Sequence, residues 1–118
     1  MDEILGVDEV LFFVRDIQAA RKWFVELLER EPYFDDPNYC AFHLANASVG
    51  LHRSDQKTSP GVAGQVTYWR VPSIRRAIAY FESRGCRLFR GPILGVDKVW
   101  VCQLVDPFGN AWGLVERP

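Results

Sequence analysis

The chain repeats itself. Val14, Asp16, Ile17, Ala20 and Phe24 are matched by Val71, Ser73, Ile74, Ala77 and Phe81, every pair 57 residues apart. Further on, Gly50-Leu51 is matched by Gly113-Leu114 at an offset of 63, so the second copy carries six extra residues (63 against 57). In both copies the order is the same: an extended run, a capping residue, a helical stripe, a closing strand. Coincidence between two amphipathic helices does not reproduce that order. Self-similarity on this scale marks a duplicated supersecondary unit.

Each copy has its own punctuation. In the first, Glu9 to Val14 reads as a strand, and Asp16 suits a helix N-cap. Ile17, Ala20, Phe24, Leu27 and Leu28 then fall at helical spacing, with Pro32 just beyond the expected end. Shorter strand-like runs follow at residues 39–44 and 48–52, and residues 54–64 have the composition of a linker. In the second copy, residues 65–71 read as a strand, Ser73 as the cap, and Ile74, Ala77, Ile78 and Phe81 as the stripe. Gly85 is placed to end that helix. Strands are expected at residues 99–105 and 111–115, joined by Asp106-Pro107-Phe108-Gly109, whose order suits a type I turn. The copies span about 1–56 and 62–118 within a single domain, 1–118.

Composition narrows the function classes. With 48% hydrophobic and 25% charged residues, the chain can bury a core. Its net charge is -1 and it has no Lys/Arg run, which gives no basic face for nucleic acid. No apolar run is long enough for a membrane span, and the start Met1-Asp2-Glu3-Ile4 lacks signal-peptide character. Cys40, Cys86 and Cys102 are odd in number and widely spaced, as expected of free thiols in a reducing cytoplasm. Four Trp and eight Phe supply rings enough for both a core and a small-molecule pocket.

The segments Val14-Arg15-Asp16, Trp23-Phe24 and Asp106-Pro107-Phe108-Gly109-Asn110, in this order, resemble the vicinal oxygen chelate superfamily (glyoxalases, bleomycin-resistance proteins and dioxygenases). The resemblance covers almost the whole chain. It implies an α+β fold of two tandem βαβββ units, forming a cupped mixed sheet with helices on the outer face. It also implies a pocket, often near a homodimer interface. The superfamily's metal ligands, usually His or Glu, map onto Glu9, Gly50, Val66 and Gly113. Three of these four have no donor, whereas a protein metal site needs about three protein ligands. The expectation is therefore no metal and no cofactor. His52, on the face of Gly50, is the one residue that could join Glu9 in holding an ion. The face of His43 is open.

Strand alternation then selects the pocket side. Glu9, Leu11 and Phe13 share it with Gly50 and His52; Val66, Tyr68 and Arg70 share it with Gly113 and Val115. The candidate ligand-binding residues are Phe13, His52, Tyr68, Arg70 and Trp100, the parity of Trp100 being open. Arg70 suits a carboxylate or phosphate; Glu9 and His52 are the candidates for proton transfer. The leading expectation is a metal-independent small-molecule binding protein, taking an aromatic or anionic ligand. The alternative is a lyase, isomerase or dioxygenase that uses Glu9, His52 or both, with or without a divalent metal. Further expectations are a homodimer, with no nucleic-acid and no membrane partner.

Overall fold

The computed structural model describes residues 1–118. The chain divides into two compact units, Met1–Pro60 and Gly61–Pro118. The first contains β1 (Glu9–Val14), α1 (Ile17–Leu28), β2 (Phe34–Asp36), β3 (Tyr39–Leu44) and β4 (Ala47–Arg53). The second contains β5 (Tyr68–Arg70), α2 (Ile74–Ser83), β6 (Arg87–Leu94), β7 (Trp100–Val105) and β8 (Ala111–Glu116). Each unit folds a four-stranded mixed sheet, in the order β1-β4-β3-β2 and β5-β8-β7-β6. In both, the outer pair β1·β4 or β5·β8 is parallel and the remaining pairs are antiparallel. No helix is long and apolar enough to cross a membrane.

Register makes the duplication concrete. Leu11 pairs with Gly50 and Tyr68 with Gly113, so the offsets of 57 and 63 seen in the sequence are register-equivalent. Ala41 faces Gly50 and Gln103 faces Gly113, an offset of 62 for the middle strand. Five of the six extra residues therefore precede β7 and one sits in the β7–β8 turn.

Local chemistry explains the helix ends. Asp16 Oδ1 accepts from the Ala19 amide at 3.0 Å, and Ser73 Oγ from the Arg76 amide at 3.2 Å. Each satisfies an amide that the first helical turn leaves open. At the end of α2, Gly85 donates to Glu82 O and Cys86 to Phe81 O. That pair of hydrogen bonds is a Schellman motif, and Gly85 takes the left-handed φ of 91° that it requires.

Three differences from the sequence expectations have physical causes. The strand expected at 65–71 is reduced to Tyr68–Arg70. Upstream of Thr67, whose carbonyl accepts from Gly113, the chain leaves the ladder, and Gly61 is tied to Asn110 Oδ1 instead. β2 was not foreseen because Phe34-Asp35-Asp36 is short and acidic. β6 was not foreseen because Gly91-Pro92 interrupts it; as an edge strand with register shifts on both sides of Arg90, it tolerates a residue that cannot donate to the ladder.

The cores lie under the helices. Phe24 of α1 is wholly buried, 5.7 Å from Phe12 and stacked on Phe42 at 6.1 Å. In the second unit Phe81 meets Trp112 at 5.4 Å, and the Trp112 indole donates to Asp106 Oδ2 at 3.0 Å. Asp106 also accepts from the amides of Phe108 and Asn110. The Asp106 to Asn110 segment is thus a side-chain-stapled turn. Burial raises the Asp106 pKa above the ordinary carboxylate value, and these hydrogen bonds oppose the shift.

Candidate functional site

In each unit one sheet face carries the helix and the other is open. Paired residues on neighbouring strands point to the same face, so the register defines rows of side chains across the open side. In the first unit the rows are Glu9–Ser48–His43, Leu11–Gly50–Ala41–Phe34 and Phe13–His52–Tyr39–Asp36. The row through Ser48 settles the face of His43: it shares that of Glu9. Its ring stacks on Tyr33 at 4.0 Å, and the Tyr33 hydroxyl is 2.7 Å from Ser48 Oγ.

Glu9 folds over Gly50. A Cβ at position 50 would lie 2.5 Å from Glu9 Oε2 and 2.8 Å from Leu11 Cδ1, so the missing side chain is what admits the carboxylate. The Tyr39 hydroxyl donates a short hydrogen bond to Glu9 Oε2. That bond, and then burial, raise the Tyr39 pKa well above the usual phenol value. The His52 ring is 6.1 Å from Phe13 and 6.2 Å from Tyr39, and Phe34 is 5.6 Å from Tyr39. His52 Nδ1 lies 2.8 Å from the Arg53 carbonyl, which can only accept, so Nδ1 carries a proton there.

The second unit repeats the plan with other chemistry. Its rows are Tyr68–Gly113–Gln103–Arg90 and Arg70–Val115–Val101–Ile93. The Tyr68 ring covers Gly113, where a Cβ would lie 2.8 Å from Tyr68 Cδ1 and 2.7 Å from the Thr67 carbonyl oxygen. Gln103 Nε2 donates to the Tyr68 hydroxyl at 2.9 Å. Arg70 and Arg90 are exposed, and no carboxylate of their unit is within ion-pair distance. Val66, the counterpart of Glu9, precedes β5 and lies outside the ladder.

The structure thus brings Phe13 and His52 together on one open face and Tyr68 and Arg70 on another. Trp100 it places elsewhere. Trp100 alternates with Gln103 and shares the helix-side parity of Cys102 and Leu104, at the outer end of β7. Sequence reasoning did not single out Tyr39, Gln103 or Arg90. For Tyr39 a signal existed: a two-residue turn closing on Leu44 and Ala47 sets Tyr39 opposite His52. For Arg90 none did, since the register shifts of β6 are invisible in sequence.

The donor set does not fit a metal ion. The positions over Gly50 and Gly113 are filled by Glu9 with Leu11 and by Tyr68, and Glu9 already accepts from Tyr39. No three His, Cys, Asp or Glu side chains are grouped to hold an ion. The thiols offer neither a soft ligand nor a nucleophile: burial raises Cys40, Cys86 and Cys102 to about 11, 12 and 11. A cleft of about 360 Å³ lies beside the start of α1, lined by Arg21, Asp35 and Cys40 among others. The Arg21–Asp35 ion pair at 2.7 Å spans it, on the helix side of the sheet.

No sequence-family model and no curated protein matches the chain. Solved structures do. A glyoxalase/bleomycin resistance protein/dioxygenase superfamily member from Sphaerobacter thermophilus superposes with a TM-score of 0.77 at 24% identity, over 98% of this chain and 99% of that one. A glyoxalase-related enzyme from Fulvimarina pelagi gives 0.78 at 14% identity, over 98% and 90%. A glyoxalase/bleomycin resistance protein/dioxygenase family enzyme from Burkholderia phytofirmans gives 0.78 at 14% identity, over 94% and 98%. With two βαβββ units in matching register, this chain has the fold of the glyoxalase/bleomycin-resistance/dioxygenase superfamily.

Proposed function

We propose that the chain is a metal-independent small-molecule binding protein of the bleomycin-resistance-like type, holding an aromatic or anionic organic ligand on its open sheet faces. One observation carries the reading: of the four positions that the resemblance assigns to metal, Gly50 and Gly113 have no side chain and are covered by Glu9 with Leu11 and by Tyr68, Val66 has no donor, and Glu9 alone offers a carboxylate. What remains exposed suits recognition. Phe13 and His52 offer ring surface, and Tyr68 and Arg70 offer a hydroxyl and a guanidinium. Elemental analysis of tag-free protein after incubation with zinc, nickel, manganese and iron(II) tests the first half. Less than about a tenth of an equivalent per chain is expected, because a lone carboxylate falls short of the roughly three ligands required. A thermal-shift screen of aromatic amines, carboxylates and sulfonates tests the second half. Stoichiometric metal that is lost on Glu9→Ala or His52→Ala overturns the reading.

A second reading has its own observation. Tyr39 holds the Glu9 carboxylate over Gly50, which sets a general base beside a hydroxyl donor. An enzyme using Glu9 or His52 on a bound carbonyl compound turns over substrate and loses that turnover in Glu9→Gln; a binding protein shows saturable binding and no product. Under either reading we propose a cytoplasmic homodimer. Gel filtration separates two 13.5 kDa chains from one.

A further inference from the structure

We infer that the open face of the first unit takes an organic cation: a protonated or quaternary amine bearing an apolar group, with its charge beside Glu9. The inference rests on the small-molecule binding reading and names the ligand class for one face. Glu9 is a half-buried carboxylate with no Lys, Arg or His nitrogen of its unit within ion-pair distance. Its side-chain hydrogen bond comes from a neutral phenol and engages Oε2 alone. A charge withdrawn from water without a counter-ion is costly, and a bound cation removes that cost.

The surroundings select the same sign. Phe34, Tyr39, His52 and Phe13 form a run of rings spaced 5.6, 6.2 and 6.1 Å apart across the two rows beside Glu9. Ring faces are the negative part of the aromatic quadrupole and attract ammonium groups. Asp36, in the row of Tyr39, adds acidity, although its Oδ1 is engaged by the Asn38 and Tyr39 amides. The basic groups on this face are His43, stacked on Tyr33, and His52, whose Nδ1 proton is used by the Arg53 carbonyl. An anion here meets an unpaired carboxylate. An uncharged ring gains packing but leaves that carboxylate unpaired. Phe34 and Leu11 are 48% and 37% exposed, so the surface is open for contact in the free chain.

The test is an amide-shift NMR titration of the full chain with three probes: benzyltrimethylammonium, the neutral N-benzylacetamide, and benzoate. Saturating shifts from the cation are expected at Glu9, Leu11, Tyr39, Gly50 and His52. Affinity for N-benzylacetamide should be weaker by about tenfold, the scale of a desolvated cation–aromatic and charge contact. Glu9→Gln keeps an acceptor for Tyr39 while removing the charge, and should weaken cation binding by about the same tenfold. Phe34→Ala, at an exposed position, should weaken it about threefold without disturbing the fold. Equal affinity for N-benzylacetamide, no loss in Glu9→Gln, or shifts mapping to other residues overturns the inference. Benzoate binding that depends on Arg70, with no cation binding, leaves the binding-protein reading standing and refutes this inference alone. If none of the three probes binds, both fail.

Discussion

The two units share a plan and differ in what it displays. On the helix side their residues match at repeat-equivalent positions: Val14 with Val71, Ile17 with Ile74 and Phe24 with Phe81 by the 57-residue offset, Cys40 with Cys102 and Leu51 with Leu114 by register. On the open side the glycines match, and their neighbours do not. Leu11 and Phe13 become Tyr68 and Arg70, and Ala41 becomes Gln103. The buried layer is held by volume, since close-packed side chains admit little change. The open layer carries no such constraint, so one copy has become aromatic and acidic and the other polar and basic. A duplicated scaffold can keep its packing while its two faces take different ligand chemistry.

The largest expected difference between the units lies in their cores. Phe24 is fully buried and touches Phe12 and Phe42, so Phe24→Ala should cost about 3–5 kcal/mol in urea unfolding. Phe81 is only half-buried, and Phe81→Ala should cost about half as much. Equal losses would show that the copies are packed alike. The thiols probe the same two buried layers. Cys40 and Cys102 occupy equivalent positions and are both raised to about 11 by burial. Labelling of the folded chain near neutral pH should therefore be slower than that of the unfolded chain by about 100-fold at both sites. Fast modification of one alone would show that its layer opens.

The hairpin turns differ too. Asp106 staples the β7–β8 turn and receives the Trp112 indole, whereas the β3–β4 turn is closed by Ala45-Asn46 with no such carboxylate. Asp106→Ala strands buried donors and should cost about 2 kcal/mol. Its pH dependence has a definite sign. Because burial raises the native pKa of Asp106, the folded chain holds that proton more tightly than the unfolded chain. The stability so gained is complete below the unfolded carboxyl value and is lost as pH rises through the native one. The cost of Asp106→Ala is therefore larger in acid than near neutrality. Urea midpoints of both proteins across that range check this, and an increase with pH would contradict it.

Much of the fold was legible because periodicity and capping are local. Asp16, Ser73 and Gly85 act as their sequence context implies, and the 57-residue repeat marks both helices. β6 was hidden because its Pro92 and register shifts break the alternation by which strands are read. The candidate site was legible only in part. Parity within one strand places Glu9 with Phe13 and Tyr68 with Arg70, but partners across strands depend on register. Tyr39 and Gln103, which hold Glu9 and Tyr68 over their glycines, are such partners. Trp100 shows the same limit, since alternation fixes its face only once Gln103 is seen opposite Gly113.

The glycines give the finest test, because their environments differ in kind. At Gly113 an added methyl meets the Thr67 backbone carbonyl at 2.7 Å and the Tyr68 ring at 2.8 Å. The Thr67 oxygen belongs to the ladder, accepting from the Gly113 amide, so it cannot withdraw without breaking β5 from β8. Gly113→Ala should cost about 1–3 kcal/mol, the usual range for overpacking. At Gly50 the nearest atoms to the methyl are the ends of Glu9 and Leu11, flexible side chains that can swing away. Gly50→Ala should therefore change stability by less than about 1 kcal/mol. Its effect should fall on the site instead: Glu9 moves off Tyr39, the phenol is released from its hydrogen bond, and the Tyr39 pKa falls back toward the ordinary value. Ultraviolet titration of tyrosine in Gly50→Ala reads that fall directly. A Gly50→Ala protein as destabilised as Gly113→Ala, with Tyr39 still titrating high, would mean that the glycine serves the backbone in both units and that the seat of Glu9 is incidental.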